Sequence, residues 1–170
     1  PDRRLTSGRL VALVRGYFIP LTLAFVLTLT SLLVSPPDFR VLADETNLAG
    51  ISMSMFYRRQ ITNPVETLPF IPGMHDTVND TVDKRPLLFP FLTFVVHAIT
   101  GYRPENAFVL NALLFFLLLL QFFLLLRRWY SRFWAGIGMT LLSAYPLIVL
   151  SATSGGFEIL NLLLIVQAFR

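Results

Sequence analysis

The stretch Pro86-Leu87-Leu88-Phe89-Pro90-Phe91-Leu92-Thr93-Phe94-Val95-Val96-His97-Ala98-Ile99-Thr100-Gly101-Tyr102 decides the fold, because the side of a bilayer on which every later segment lies depends on whether it crosses. Its apolar part, Leu87 to Ile99, has 13 residues and is interrupted by Pro90, Thr93 and His97. As a helix it would be about 20 Å long, against a hydrocarbon core of about 30 Å. Even the whole uncharged window from Pro86 to Tyr102 is only marginally long enough. The arginines settle the choice. If the segment crossed, the next span, 107–126, would deliver Arg127, Arg128 and Arg132 to the same side as the polar insert before it, against the positive-inside rule. If it lies in the interface or re-enters, those arginines join Arg3, Arg4, Arg9 and Arg15 in the cytoplasm. We adopt the second topology.

Working outward, the residues before Pro86 form a polar insert, Asp38 to Arg85, with seven acids and five bases between two apolar parts of the chain. The whole sequence is 55% hydrophobic with 16 Phe in 170 residues, too apolar for the surface of a soluble domain, and implies a membrane protein. Its formal charge of +4 comes from clustered arginines, which report topology. With no aromatic-basic strand pattern and no zinc spacing, nucleic acid is excluded as a partner. The absence of Cys excludes disulfides and thiolate ligands.

These readings predict an all-α integral membrane protein, a multi-span helical bundle with a large exoplasmic first loop carrying juxtamembrane helices. Residues 1–15 form a cytoplasmic N-terminus and 16–36 a transmembrane helix closed by Pro36-Pro37. That run is too long for a signal peptide and lacks a small-x-small cleavage site. Residues 37–106 form the exoplasmic loop, with juxtamembrane helices at about 44–60 and 87–100. In the first of these Asp44 is the expected N-cap, and Leu48, Ile51 and Met55 recur at helical spacing. From Thr62 to Val82 prolines, Gly73 and Asn79-Asp80 predict a loop. A second span covers 107–126, with Asn111 and Gln121 as interhelical hydrogen-bonders. A cytoplasmic loop covers 127–132, and a third span covers 133–152, with Pro146 allowing a kink. Gly136-Ile137-Gly138 follows no strand and reads as close helix packing. The chain begins without Met and ends inside an apolar run, so 157–170 reads as the start of a truncated transmembrane helix and the sequence as a fragment.

In this topology Asp44, Glu45, Asp83, Lys84, Arg85 and Glu158 all fall at the exoplasmic boundary, although far apart in sequence. Carboxylates there are costly unless paired or used, and one of them can take a proton from a hydroxyl. A Lys-Arg pair suits a phosphate whose charge grows as it departs. The same residues also fit an interfacial charge cluster, a helix N-terminus and, for Glu158, a salt bridge to Arg103. Arg58 and Arg59 suit either a substrate phosphate or the helix dipole and lipid phosphates. His75-Asp76 has only His97 as a further histidine, a weak basis for a metal site.

At Asp44-Glu45, at Asp83-Lys84-Arg85-Pro86-Leu87-Leu88-Phe89, at Gly101-Tyr102-Arg103 and from Asn106 to Arg128, the chain resembles the GT-C superfamily of membrane glycosyltransferases. The likeness is to the branch with protein O-mannosyltransferases and the aminoarabinose transferase of lipid A, in which a carboxylate-Lys-Pro-Pro-Leu motif follows an acidic pair. Here Arg85 replaces the first proline of that motif and Asp83 stands where Glu is commoner. The resemblance implies inverting transfer of a sugar from a polyprenyl-phosphate donor to a lipid, glycan or protein acceptor hydroxyl, with membrane lipids as surroundings. It implies a bacterial inner membrane, with the site facing the periplasm or exterior. Asp44 would be the base and Glu45 would orient it or help hold the acceptor or a divalent cation, the cofactor being otherwise open. Lys84 and Arg85 would stabilise the departing phosphate, with Asp83 and Glu158 supporting. Two rivals stand beside this reading. A transporter or flippase-like subunit would line a path with Pro90 to His97, and a non-catalytic assembly factor would need none of these residues.

Overall fold

The computed structural model describes residues 3–65, 79–82 and 84–170. Seven helices dominate them: α1 (Arg3–Val34), α2 (Leu42–Tyr57), α3 (Leu88–Thr100), α4 (Asn106–Leu126), α5 (Arg132–Ala144), α6 (Pro146–Ala152) and α7 (Glu158–Ala168). Two of them, α1 over Tyr17–Val34 and α4, are long and apolar enough to cross a membrane, and α5 with α6 makes a third candidate if the bent pair is one span.

Helix α4 is the central element. Its Leu110, Leu114, Phe115, Leu118, Leu119 and Phe123 give it the largest share of the core, joined by Ala24 of α1, Leu48 of α2, Phe89 of α3, Met139 of α5 and Ile159 of α7. The opposite face of α1 is apolar and uncovered, with Phe18, Ile19, Phe25 and Leu33 more than half exposed, as a surface in contact with lipid requires. Its polar residues are satisfied internally: Thr28 Oγ1 donates to Ala24 O and Ser31 Oγ to Leu27 O.

The ends of the helices establish direction. At one end, Asp38 N donates to Thr153 O, Phe39 packs on Phe108 with ring centroids 4.9 Å apart, and Asn111 Nδ2 donates to Ser154 O and Gly156 O. The close of α1, the start of α4 and the α6–α7 turn therefore meet. At the other end, Arg128 Nη1 donates to Phe169 O and Arg170 Nη1 to Gln121 Oε1. Asn111 and Gln121, expected to bond between helices, instead bond the α6–α7 turn and the residue after α7. Since α1 closes where α4 opens, the chain between them returns to the end of the bundle from which it set out. Helix α3, 13 residues long, is among the short apolar helices, not the candidate spans.

Four boundaries differ from expectation. Helix α1 begins at Arg3, well before residue 16. Helix α2 starts at Leu42, so Asp44 lies inside its first turn, and Val41 occupies the N-cap without a side-chain cap bond. The Thr62–Val82 loop contains a two-stranded antiparallel ribbon, β1 (Asn63–Val65) and β2 (Asn79–Thr81), pairing Asn63 with Thr81. The expected third span is broken: α5 and α6 meet at 71°. Proline 146 has no N–H to continue α5 and disfavours helical backbone at the residue before it, so Tyr145 is extended (ψ 119°) and Pro146 opens α6. The glycines of α5 divide: a Cβ at Gly136 would make ordinary contact, whereas one at Gly138 would fall 2.4 Å from Leu126 Cδ1. Gly138 is the close-packing position.

Candidate functional site

Asp44 is exposed in the first turn of α2 and ion-pairs with Arg85 Nη2 across the chain. The contact joins the near and far ends of the polar insert. It exists because α2 and α3 run side by side in the same direction. Their starts meet at Asp44 and Arg85, and their ends meet where His97 and Tyr102 pack against Phe56. Next to the pair lies an open cleft of about 590 Å³ lined by Asn47, Asn63, Thr81, Lys84, Arg85 and Pro86, among others. Two cations, two amides and a hydroxyl line it. Asp83, expected here, lies outside the described residues.

Glu45 is used differently. Its side chain is 3% exposed, and its carboxylate accepts three backbone N–H bonds. Arg40 N at 3.0 Å and Gly155 N at 3.0 Å reach Oε2, and Val41 N at 3.1 Å reaches Oε1. These donors include the otherwise unsatisfied amides before α2, so Glu45 reaches back as the Glu of a capping box does. They also include the amide of a turn 110 positions away. An expected acceptor or cation ligand is thus a clamp. It fixes the start of α2, and Asp44 with it, to the α6–α7 turn. Arg40 reinforces the joint through Ser35 Oγ at 2.8 Å and Thr153 Oγ1 at 3.3 Å.

Glu158 is exposed in the first turn of α7. A Cβ at Gly156 would lie 2.2 Å from its Oε2, so the carboxylate rests on that turn, on the same end of the bundle as Glu45. Among the described residues no ion pair joins it to Arg103. Arg58 and Arg59 are not part of this cluster. They close α2 about 24 Å from its start, Arg58 N–H bonding Ser54 O and Arg59 taking a left-handed backbone (φ 57°). Arg59 borders an apolar groove of about 560 Å³ between α2 and α3, with Met55, Phe56, Phe91 and Phe94.

No group of three His, Cys, Asp or Glu side chains gathers to hold a metal among the described residues, and His75-Asp76 lie outside them. Asp44 is paired with a guanidinium and the Glu45 carboxylate is occupied by three backbone N–H groups, so among the described residues these two do not fit a divalent cation.

His97 is the polar side chain the apolar run concealed. It is 1% exposed, with Nε2 3.3 Å from Ser52 Oγ and Nδ1 2.8 Å from Asn106 Nδ2. Asn106 Nδ2 also faces Gly101 O, which only accepts. The amide nitrogen must therefore donate to Nδ1, and the imidazole is neutral with its proton on Nε2. Burial pushes its pKa below the ordinary 6.5. The ring is a bolt between α2, α3 and α4. Sequence reasoning also passed over Asn47, one turn after Asp44 and so on its face, and Asn63, which no periodicity marks.

The fold and site define a helical protein with two candidate membrane spans and a polar cleft at one end of the bundle. Comparison with protein-family models, with curated proteins and with solved structures gave no match.

Proposed function

We propose that this chain carries the reacting face of a membrane glycosyltransferase that moves a sugar from a polyprenyl-phosphate donor to an acceptor hydroxyl at the exoplasmic side of a bacterial inner membrane. The observation that carries the reading is the Asp44–Arg85 pair beside the cleft that Lys84 and Arg85 line. One carboxylate and two cations at the edge of an apolar bundle are the groups such a reaction needs.

In the proposed step the acceptor oxygen attacks the anomeric carbon on the face opposite the phosphate. The new glycosidic C–O bond forms as the anomeric C–O bond to phosphate breaks, inverting that carbon. The hydroxyl proton passes to the Asp44 carboxylate, and polyprenyl phosphate leaves with the bonding pair. Lys84 and Arg85 favour the transition state because they meet negative charge that increases along the reaction coordinate. Arg85 also holds Asp44 in place before reaction, so its orientation is set before the acceptor arrives.

The test is transfer by the full chain in its membrane, supplied with undecaprenyl-phosphate hexoses. Asp44→Asn keeps the shape and removes the basicity. It is expected to lower turnover by about 10²- to 10⁴-fold, the usual worth of a general base. Asp38→Asn, a nearby exposed carboxylate change, should leave it unaltered. Near-normal turnover of Asp44→Asn would remove the role assigned to Asp44.

A further inference from the structure

We infer that Asn47 and Asn63 recognise the hydroxyl groups of the transferred sugar; the inference rests on the glycosyl-transfer reading above and adds to it a sugar subsite. Asn63 Nδ2 donates to Asn47 Oδ1 at 2.8 Å. The bond ties β1 to α2 and fixes the orientation of both amides. It uses one donor of Asn63 and one lone pair of Asn47. The NH₂ of Asn47 and the carbonyl of Asn63 are left as a neighbouring donor and acceptor.

Both residues line the 590 Å³ cleft that Lys84 and Arg85 also line, a volume within the range of about 300–1,000 Å³ typical of small-molecule sites. The division of labour on that wall follows from chemistry. Cations suit the phosphate, which carries charge and only accepts. Neutral amides suit sugar hydroxyls, each of which donates and accepts. Asn47 lies one helical turn beyond Asp44, so a hydroxyl held by the amides sits on the face of α2 that carries the proposed base. A site built to bond a hydroxyl discriminates strongly against a ligand without it, because the protein groups are then left unpaired.

The experiment measures binding of two probes to the full chain in nanodiscs: undecaprenyl phosphate alone, and undecaprenyl phosphate bearing a mannosyl or glucosyl group. Asn47→Leu and Asn63→Leu remove the amides at similar volume. Each is expected to weaken the sugar-bearing probe by about tenfold, the effect of one or two lost hydrogen bonds. The bare carrier should bind as before, which also shows that the variant is folded. Lys84→Ala should weaken both probes. Asn variants that weaken both probes alike, or neither, while Lys84→Ala weakens both, would overturn the sugar subsite and leave the phosphate site standing. A Lys84→Ala variant that binds both probes normally, or an unaltered chain that binds neither, would overturn the glycosyl-transfer reading and the subsite with it.

Discussion

Glu45 and Asp44 are adjacent in sequence and opposite in circumstance. One carboxylate is buried against three amides and the other is exposed against one guanidinium. Replacing Glu45 by Gln keeps the volume but turns an amide NH₂ toward backbone N–H groups. Charge-assisted bonds of this kind contribute about 1.5–3 kcal/mol, so Glu45→Gln should lower stability by about 2 kcal/mol. The measurement is thermal unfolding of the full chain in detergent, and a melting temperature equal to that of the unaltered chain would refute the clamp. That Asp44 and Arg85 lie at one end of the molecule was legible, because counting arginines brings both to one boundary before any coordinate is known; their ion pair was not. Nor was the use of Glu45. Its partners are main-chain donors, one of them in a glycine turn far along the chain, and main-chain donors leave no mark in a sequence.

At the scale of elements, short helices are held together by small residues and buried polar bolts. A Cβ at Gly155 would lie 2.9 Å from a ring carbon of Phe39 and 3.3 Å from Glu45 Oε2. Gly155→Ala should therefore destabilise the turn by about 1–3 kcal/mol, the usual cost of overpacking. Adding Phe39→Leu to it should recover part of the loss, since the second change removes the ring that the methyl meets. A double variant less stable than the sum of its parts would contradict that contact.

His97 gives the same level a pH dependence. Its folded pKa lies below the ordinary 6.5, so the unfolded chain binds the proton more readily. The stability due to neutral His97 is complete above about pH 6.5 and is lost as pH falls through the folded value. The melting temperature should drop as pH falls below 6.5. In His97→Phe, which keeps an aromatic ring there, that part of the slope should vanish and the neutral-pH stability should be lower.

The break at Pro146 was foreseen as a kink but not at 71°. A proline shows where a helix fails, while the angle depends on what each half packs against. The β1–β2 ribbon was invisible for a different reason. Three-residue strands carry too little alternation to register, and Pro64 argues against a strand wherever pairing is not already known.

For the molecule as a whole, the decisive feature is that the chain between α1 and α4, α3 included, returns to the end of the bundle where α1 closes. The acids and the cleft gather where α1 ends and α4 begins, and Arg127, Arg128 and Arg132 stand at the other end of α4, about 30 Å away. The fold was readable this far because bilayer thickness, helix rise and arginine placement are independent constraints with one common solution. The chain has no Cys, so single cysteines can be placed without background. The most direct measurement is labelling of Lys84→Cys and Arg128→Cys in sealed membrane vesicles with a maleimide that cannot cross the bilayer. Both positions are exposed. One should label in intact vesicles and the other only after permeabilisation; labelling of both from the same side would contradict the topology and the shared outer face on which the proposed site depends.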